Sequence, residues 1–212
     1  MRTNSPVAKI IQAGAQHSIE LGKLHFESHS KSFAEFASPD WVKSRQLDDY
    51  TIYWREYLNS QPHAESTWVA SIKRRLVGTV TLKPLANSNL VFIPRQANRY
   101  EGQKIACLRL LYLAPDYLSN GIGRQLMQHI TGQMTSQNYT LGVLITHQAN
   151  TRARKFYERH RWVVDECFTR QVADFFGEPL SMQRRVRYRI NLSETKWVQC
   201  DPEISYGASR AT

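Results

Sequence analysis

The sequence predicts a mixed α/β layer fold, one central sheet with helices on both faces. Three observations lead there. Short β-branched and apolar runs recur along the chain and alternate with segments of helical spacing. Their order reads as a strand, two helices, several strands and then β-α-β-α-β-β. The length, 212 residues, suits one core that buries about 70% of the unfolded surface.

Residues 7–11, VAKII, read as a first strand. From Ala15 to about Ser32, the residues Ile19, Leu21, Leu24 and Phe26 appear at helical spacing. Ser38-Pro39-Asp40 opens a second helix, with Asp40 as the expected N-cap. Trp41, Val42, Leu47, Tyr50, Trp54, Tyr57 and Leu58 carry that helix to about Asn59. Thr67–Lys73 and Leu76–Leu85 are β-rich and joined by Arg74-Arg75, the pattern of a hairpin.

Residues 86–103 read as a long loop, and Lys104–Leu113 as a central strand. A glycine-containing turn leads into a helix over Gly121–Ser136. Tyr139–Thr146 is a buried-type strand and Ala149–His160 a short basic helix. Trp162–Arg170 and Met182–Leu192 close the sheet. Residues 1–192 are expected to form a single domain, and 193–212 an irregular tail.

Composition excludes several classes. Hydrophobic content of 42% and aromatic content of 11% rule out a disordered or collagen-like chain. No apolar run reaches the ~18 residues of a membrane span, and the N-terminus lacks a secretory h-region. A cytoplasmic protein is the expectation. Cys107, Cys167 and Cys200 are widely spaced, so neither a disulfide framework nor a zinc site is expected. The net charge is +10, from 28 basic and 18 acidic residues. It is spread evenly, with 13 basic and 8 acidic in the first hundred residues and 15 and 10 in the rest. Such a charge attracts anions of any kind, nucleic acid and polyphosphate cofactors alike.

The informative segment is Leu110–Tyr157. A strand, LLYLAPDY, turns through Leu118-Ser119-Asn120-Gly121-Ile122-Gly123-Arg124 into the helix RQLMQHITGQM. A turn of this kind aims backbone N–H groups at one point, and the helix dipole adds positive charge, which makes a pyrophosphate cradle. The bland alternative is an ordinary strand-to-helix turn. Leu126 stands where a dinucleotide fingerprint needs its third glycine, and GxxxxGK[ST] does not occur.

The stretch LYLAPDYLSNGIGRQLM resembles motif A of the GNAT superfamily of N-acetyltransferases, Gln/Arg-x-x-Gly-x-Gly/Ala after a strand. Asn150-Thr151-Arg152-Ala153-Arg154-Lys155-Phe156-Tyr157-Glu158 resembles the family's N-x-x-A-x-x-F-Y-E element. The first strand and helix are similar as well. The likeness covers about residues 7–190, with its specific content in 110–162.

The resemblance implies a mostly antiparallel sheet with a splayed strand pair, and acetyl-CoA as cosubstrate without a metal. The backbone of Leu111 and Leu113 would pair with the pantetheine arm. The turn Leu118, Ser119, Asn120, Gly121, Ile122, Gly123 and Arg124 would hold the pyrophosphate. Asn150 would contact the pantetheine or the phosphate-linked segment. Tyr157 would donate a proton to the leaving thiolate, a role that suits a phenol. The implied reaction is acetyl transfer to a primary amine, of a small molecule or a protein, by direct attack in a ternary complex.

Two departures stand out. Leu118 replaces the basic or amide residue that opens motif A, leaving Arg124 or the Arg152–Lys155 segment to compensate. Arg161-Trp162 replaces the Gly-Phe that ends the second motif. Cys107 occupies the position where many relatives carry a glutamate base. Glu101, Glu35, a bound water or an amine arriving neutral are the alternatives for deprotonation.

His25 and His29 are four apart but lack a third metal ligand, and His147 is a candidate for the cleft. Arg152, Lys155 and Arg159 form a basic stripe, either solvated or a funnel for phosphates. Arg185, Arg187 and Arg189 alternate on a strand and share a face, which either meets solvent or an acidic partner. GxSxG is absent. The competing function is a non-catalytic nucleic-acid- or ribosome-associated protein that uses the basic surface. Dimers are common in the resembled family, so a homodimer stays open, although no heptad specifies one.

Overall fold

In a computed structural model, residues 6–60, 65–85, 100–169 and 184–193 are described. The expected loop core at 86–99 and the tail beyond Ser193 lie outside them, as do Arg170, Met182 and Gln183 at the ends of the last two strands.

Strand β1 spans Lys9–Gln12, and a single 3-10 turn then leads into helix α1, Ser18–Phe33. The second expected helix is two helices, α2 over Pro39–Lys43 and α3 over Leu47–Asn59. Ser38, not Asp40, is the N-cap: its Oγ accepts from the Trp41 N–H at 3.3 Å, and Pro39 takes the first helical position. The break follows because Gln46 is extended. The apolar spacing continues across it, since both helices bury aromatic residues on the same side.

β2, Ser66–Ile72, and β3, Arg75–Leu85, form the hairpin. Its turn is Lys73-Arg74, one residue earlier than expected. Both residues have positive φ, 48° and 69°, as a twist-matched two-residue turn requires. Then come β4, Ile105–Leu113; α4, Ile122–Ser136; β5, Leu141–His147; α5, Thr151–Arg159; β6, Val163–Thr169; and β7, Arg184–Asn191.

The seven strands lie in the order β1-β2-β3-β4-β5-β7-β6. Every neighbouring pair is antiparallel except β4–β5. The expected mostly antiparallel sheet with helices on both faces is therefore observed.

Alternation along β2 divides the core. Trp68 and Ala70 join Ile122, Leu126, Met127, Ile130 and Met134 of α4 in the main cluster. Val69, between them, joins Leu21 and Leu24 of α1 and Trp54 of α3 on the other face. α1 and α3 cross closely at Gly22. A Cβ there would lie 2.8 Å from the Thr51 Cα, so no side chain fits at the crossing.

β7 holds the arginines that alternation placed on one face, and β6 lies beside it. That face meets acids of the chain itself. Arg187 Nε donates to Asp165 Oδ2 at 2.6 Å, and Nη2 donates to Glu166 Oε2 at 3.0 Å. Arg189 Nε stands 3.5 Å from Asp165 Oδ1. Tyr100 donates its hydroxyl to Asp165 at 2.6 Å. The carboxylate of Asp165 is fully buried, and the Arg187 side chain is 3% exposed. Asp165 is the extra residue of a bulge in β6, where the β7 register steps from Val164 to Glu166.

Candidate active site

β4 and β5 pair at three positions, Ile105 with Leu141, Ala106 with Gly142 and Cys107 with Val143. β4 then runs on to Leu113 and β5 to His147 without pairing, so the strands splay into a wedge. A bulge accounts for the divergence. Thr81 faces Leu110 and Leu82 faces Leu108, which makes Arg109 an extra residue in β4. An extra residue bends its strand and increases the twist.

Beyond the bulge, alternation sets which groups face the wedge. The Ala114 N–H bonds to the Val77 carbonyl at 2.9 Å, so Tyr112 and Leu110 also turn their backbone groups toward β3. Leu111 and Leu113 turn theirs the opposite way, toward β5.

The strand leads directly into the turn. Pro115–Tyr117 make one 3-10 turn, and Leu118 is extended. Ser119 has φ 66° and Gly121 has φ 82° with ψ −8°. Gly121 is the N-cap of α4 and has no side chain to cap it. The first helical bond is from the Gln125 N–H to the Gly121 carbonyl. The N–H groups of Ile122, Gly123 and Arg124 thus precede the helical ladder, as the geometry of any N-terminus requires. This is a donor-rich concavity at a fifteen-residue helix.

A left-handed backbone at Gly121 disfavours any side chain. Gly121→Ala is expected to lower stability by about 1–2 kcal/mol, measurable by urea unfolding. A change below a few tenths of that would show that the turn does not need the positive φ.

Asn150 caps α5, its Oδ1 accepting from the Ala153 N–H at 3.0 Å. That oxygen is occupied, which leaves the amide nitrogen as the group to meet a ligand. Tyr157 is buried on α5, with its ring 5.9 Å from Tyr188. Burial pushes its phenol well above the ordinary value, and the proximity of Cys107 and Tyr188 pushes the same way. Tyr157 belongs to the main core cluster with Ala106 and Leu108 of β4, Leu144 of β5 and Tyr188 of β7.

The altered end of the second motif preserves its turn: Arg161 adopts φ 65°, a glycine-like conformation. The Trp162 N–H bonds to the Tyr157 carbonyl at 3.2 Å, and the indole is buried. Arg124, Arg152, Lys155 and Arg159 are exposed.

Over the opposite face lies an aromatic layer. His25 stacks on Tyr112 at 4.1 Å and accepts from Trp54 Nε1 through Nδ1 at 3.2 Å. Its neutral proton therefore sits on Nε2. Burial, with His29 and Arg109 nearby, holds its pKa well below the ordinary value. His29 Nδ1 lies 2.7 Å from the Tyr50 hydroxyl. The spacing of His25 and His29 thus serves packing, and no group of three or more metal-binding side chains occurs among the described residues. His147, at the open end of β5, packs against Phe33 and Phe36 of the α1 end.

Neither candidate base lies at the vertex. Glu101 precedes β4 at the closed end of the wedge, and Glu35 is in the exposed turn after α1. A polar cluster on the α1–α3 face was not foreseen from sequence. Glu65, buried, accepts from the Tyr57 hydroxyl at 2.6 Å and pairs with Lys83 Nζ at 2.7 Å. Arg109 Nη1 stands 3.8 Å from the same carboxylate, and its guanidinium carbon lies 4.7 Å from the Tyr57 ring centroid. Burial alone would raise the Glu65 pKa, but Lys83, Tyr57 and Arg109 together hold it below the ordinary range. The signal available in the sequence was one arginine inside the apolar run KIACLRLLYL.

No helix among the described residues is long and apolar enough to cross a membrane. No curated protein sequence matches this chain. Solved structures share the fold at low identity. The PaiA N-acetyltransferase of Thermoplasma acidophilum, in complex with coenzyme A, aligns with a TM-score of 0.62 at 17% identity. The alignment covers 88% of this chain and 99% of that one. Arabidopsis thaliana NAA60 in complex with acetyl-CoA aligns at 0.62 with 11% identity, over 88% and 99%. The ribosomal-protein-S18-alanine N-acetyltransferase of Escherichia coli aligns at 0.59 with 11% identity, over 88% and 94%. The family model for Acetyltransferase (GNAT) family matches residues 30–161, more than half of the sequence, and the chain belongs to that acetyltransferase family.

Proposed function

We propose that this acetyltransferase uses acetyl-CoA as cosubstrate and acetylates a primary amine by direct attack within a ternary complex. One observation carries the reading: β4 and β5 part after Cys107 and Val143, and β4 leads into the donor-rich turn at the N-terminus of α4. A pantetheine arm would lie along β4 and pair with the backbone of Leu111 and Leu113, as an added strand pairs with a sheet edge. The pyrophosphate would rest on the backbone of 118–124, where Leu118 contributes no charge and Arg124 supplies one. Asn150 would reach the arm with its amide nitrogen.

The acceptor nitrogen attacks the thioester carbonyl carbon, the C–S bond breaks, and the sulfur takes a proton as it leaves. Tyr157, held protonated by burial, supplies that proton. The ammonium proton leaves to water, since Glu35 is exposed in the turn after α1 and Glu101 precedes the part of β4 that is paired with β5. Alignment of the two reactants contributes much of the acceleration. The nucleic-acid alternative loses support because Arg187 and Arg189 are paired with Asp165 inside the fold.

Thermal unfolding with acetyl-CoA, CoA and ATP tests the reading. A ligand at 100 times its Kd adds about 2.7 kcal/mol, which for a chain of this size raises Tm by roughly 5–10 °C. A rise with acetyl-CoA and CoA but not ATP is expected. No rise with acetyl-CoA would overturn the cosubstrate assignment.

A further inference from the structure

We infer that Arg109 selects an acceptor amine that also carries a carboxylate. The inference rests on the acetyl-transfer reading above and deepens it.

Arg109 is the bulged residue at which β4 leaves β5, two positions past the last pair at Cys107. Its guanidinium lies on the α1–α3 face, over the Tyr57 ring and within the electrostatic reach of Tyr53 and His25.

One nitrogen of the guanidinium is unanswered among the described residues. Among the described residues Glu65 is the one acid in the cluster, and its two oxygens are already engaged, Oε1 by Lys83 at 2.7 Å and Oε2 by Tyr57 at 2.6 Å. Arg109 Nη1 is 3.8 Å from Oε2, beyond hydrogen-bond reach, and has no acceptor among the described residues. Among the described residues, Lys83 and Arg109 against Glu65 leave one positive charge in excess. The Arg109 side chain is 30% exposed, so the site is reachable from solvent.

Tyr53, Tyr57 and Glu65 together favour the charged guanidinium, while its buried Nη1 is left without an acceptor of its own. A carboxylate would give that nitrogen an acceptor through two parallel N–H bonds, a geometry that lysine does not reproduce. Tyr53 and Tyr57 beside it would pack on the body of such a ligand. A polycationic amine would be repelled here.

The test uses the full chain with acetyl-CoA and follows release of the CoA thiol. Acceptors are offered in matched pairs, each an amino acid and its carboxamide: leucine, phenylalanine, β-alanine and 4-aminobutyrate. The acid of the preferred pair is expected to exceed its amide in kcat/KM by about tenfold or more, a difference carried in KM. In Arg109→Gln that ratio falls to near one, and in Arg109→Lys it is intermediate. Amides used as well as acids would overturn the inference. So would a ratio that survives in R109Q, or acids that stay unreactive while acetyl-CoA raises Tm. If R109Q does not fold, the acid-to-amide ratio of the unsubstituted protein decides alone. Absence of any acetyl-CoA effect on Tm removes the underlying reading, and is seen before an acceptor is added.

Discussion

Tyr157→Phe is expected to lower kcat by about 10²- to 10⁴-fold, the usual contribution of a positioned proton donor. The affinity for acetyl-CoA should stay within a few-fold. The phenol is buried on α5, and the substitution removes one oxygen without opening a cavity. Its raised pKa fixes a second expectation. The protonated form is the active one, and burial favours that form, so loss of the proton is displaced upward in pH. A basic limb in kcat below about pH 10 would belong to another group. Full activity in Y157F would remove the tyrosine from the proton-donor role, and loss of acetyl-CoA binding would make it a structural residue.

The largest expected loss of stability is at Asp165. Asp165→Ala leaves Arg187 with a buried guanidinium, and removing one partner of such a pair costs about 3–5 kcal/mol. Tm should fall by roughly 10 °C or more. Glu166 retains one contact to Arg187, which sets a floor under the fall. Arg187→Met in the same chain should recover a substantial part of the loss, because the stranded charge goes with it. A D165A protein within about 1 kcal/mol of the parent would show that water or Glu166 already satisfies Arg187.

These two residues differ in how readable they were. Tyr157 stood in a local motif, and local motifs are legible: the helix after the glycine turn 118–124 and the short basic helix that carries Tyr157 form close to where spacing put them. Asp165 was invisible because its meaning comes from strand pairing. The arginines of β7 showed a common face, but the acids that meet them sit on β6, in a register reset by a bulge. Arg109 has the same history. Nothing in LRLLYL announces an extra residue, and the bulge appears only against β3. The split between α2 and α3 was hidden for a different reason. Trp41, Tyr50 and Trp54 keep helical spacing because all three are buried, whether or not the backbone between them is continuous. The apolar pattern reports the side that is covered, not the path of the chain.

The three-pair junction of β4 and β5 has a mechanical meaning. It joins two antiparallel ribbons, β1-β2-β3-β4 and β5-β7-β6, along a seam shorter than either ribbon. Force applied across the sheet would therefore concentrate at Ile105–Cys107 and Leu141–Val143. A molecule that filled the wedge would lengthen the seam and work as a keystone, so amides on both sides would exchange more slowly with it in place. Occupancy by cosubstrate would then register as stiffness of the whole sheet, before any acceptor arrives.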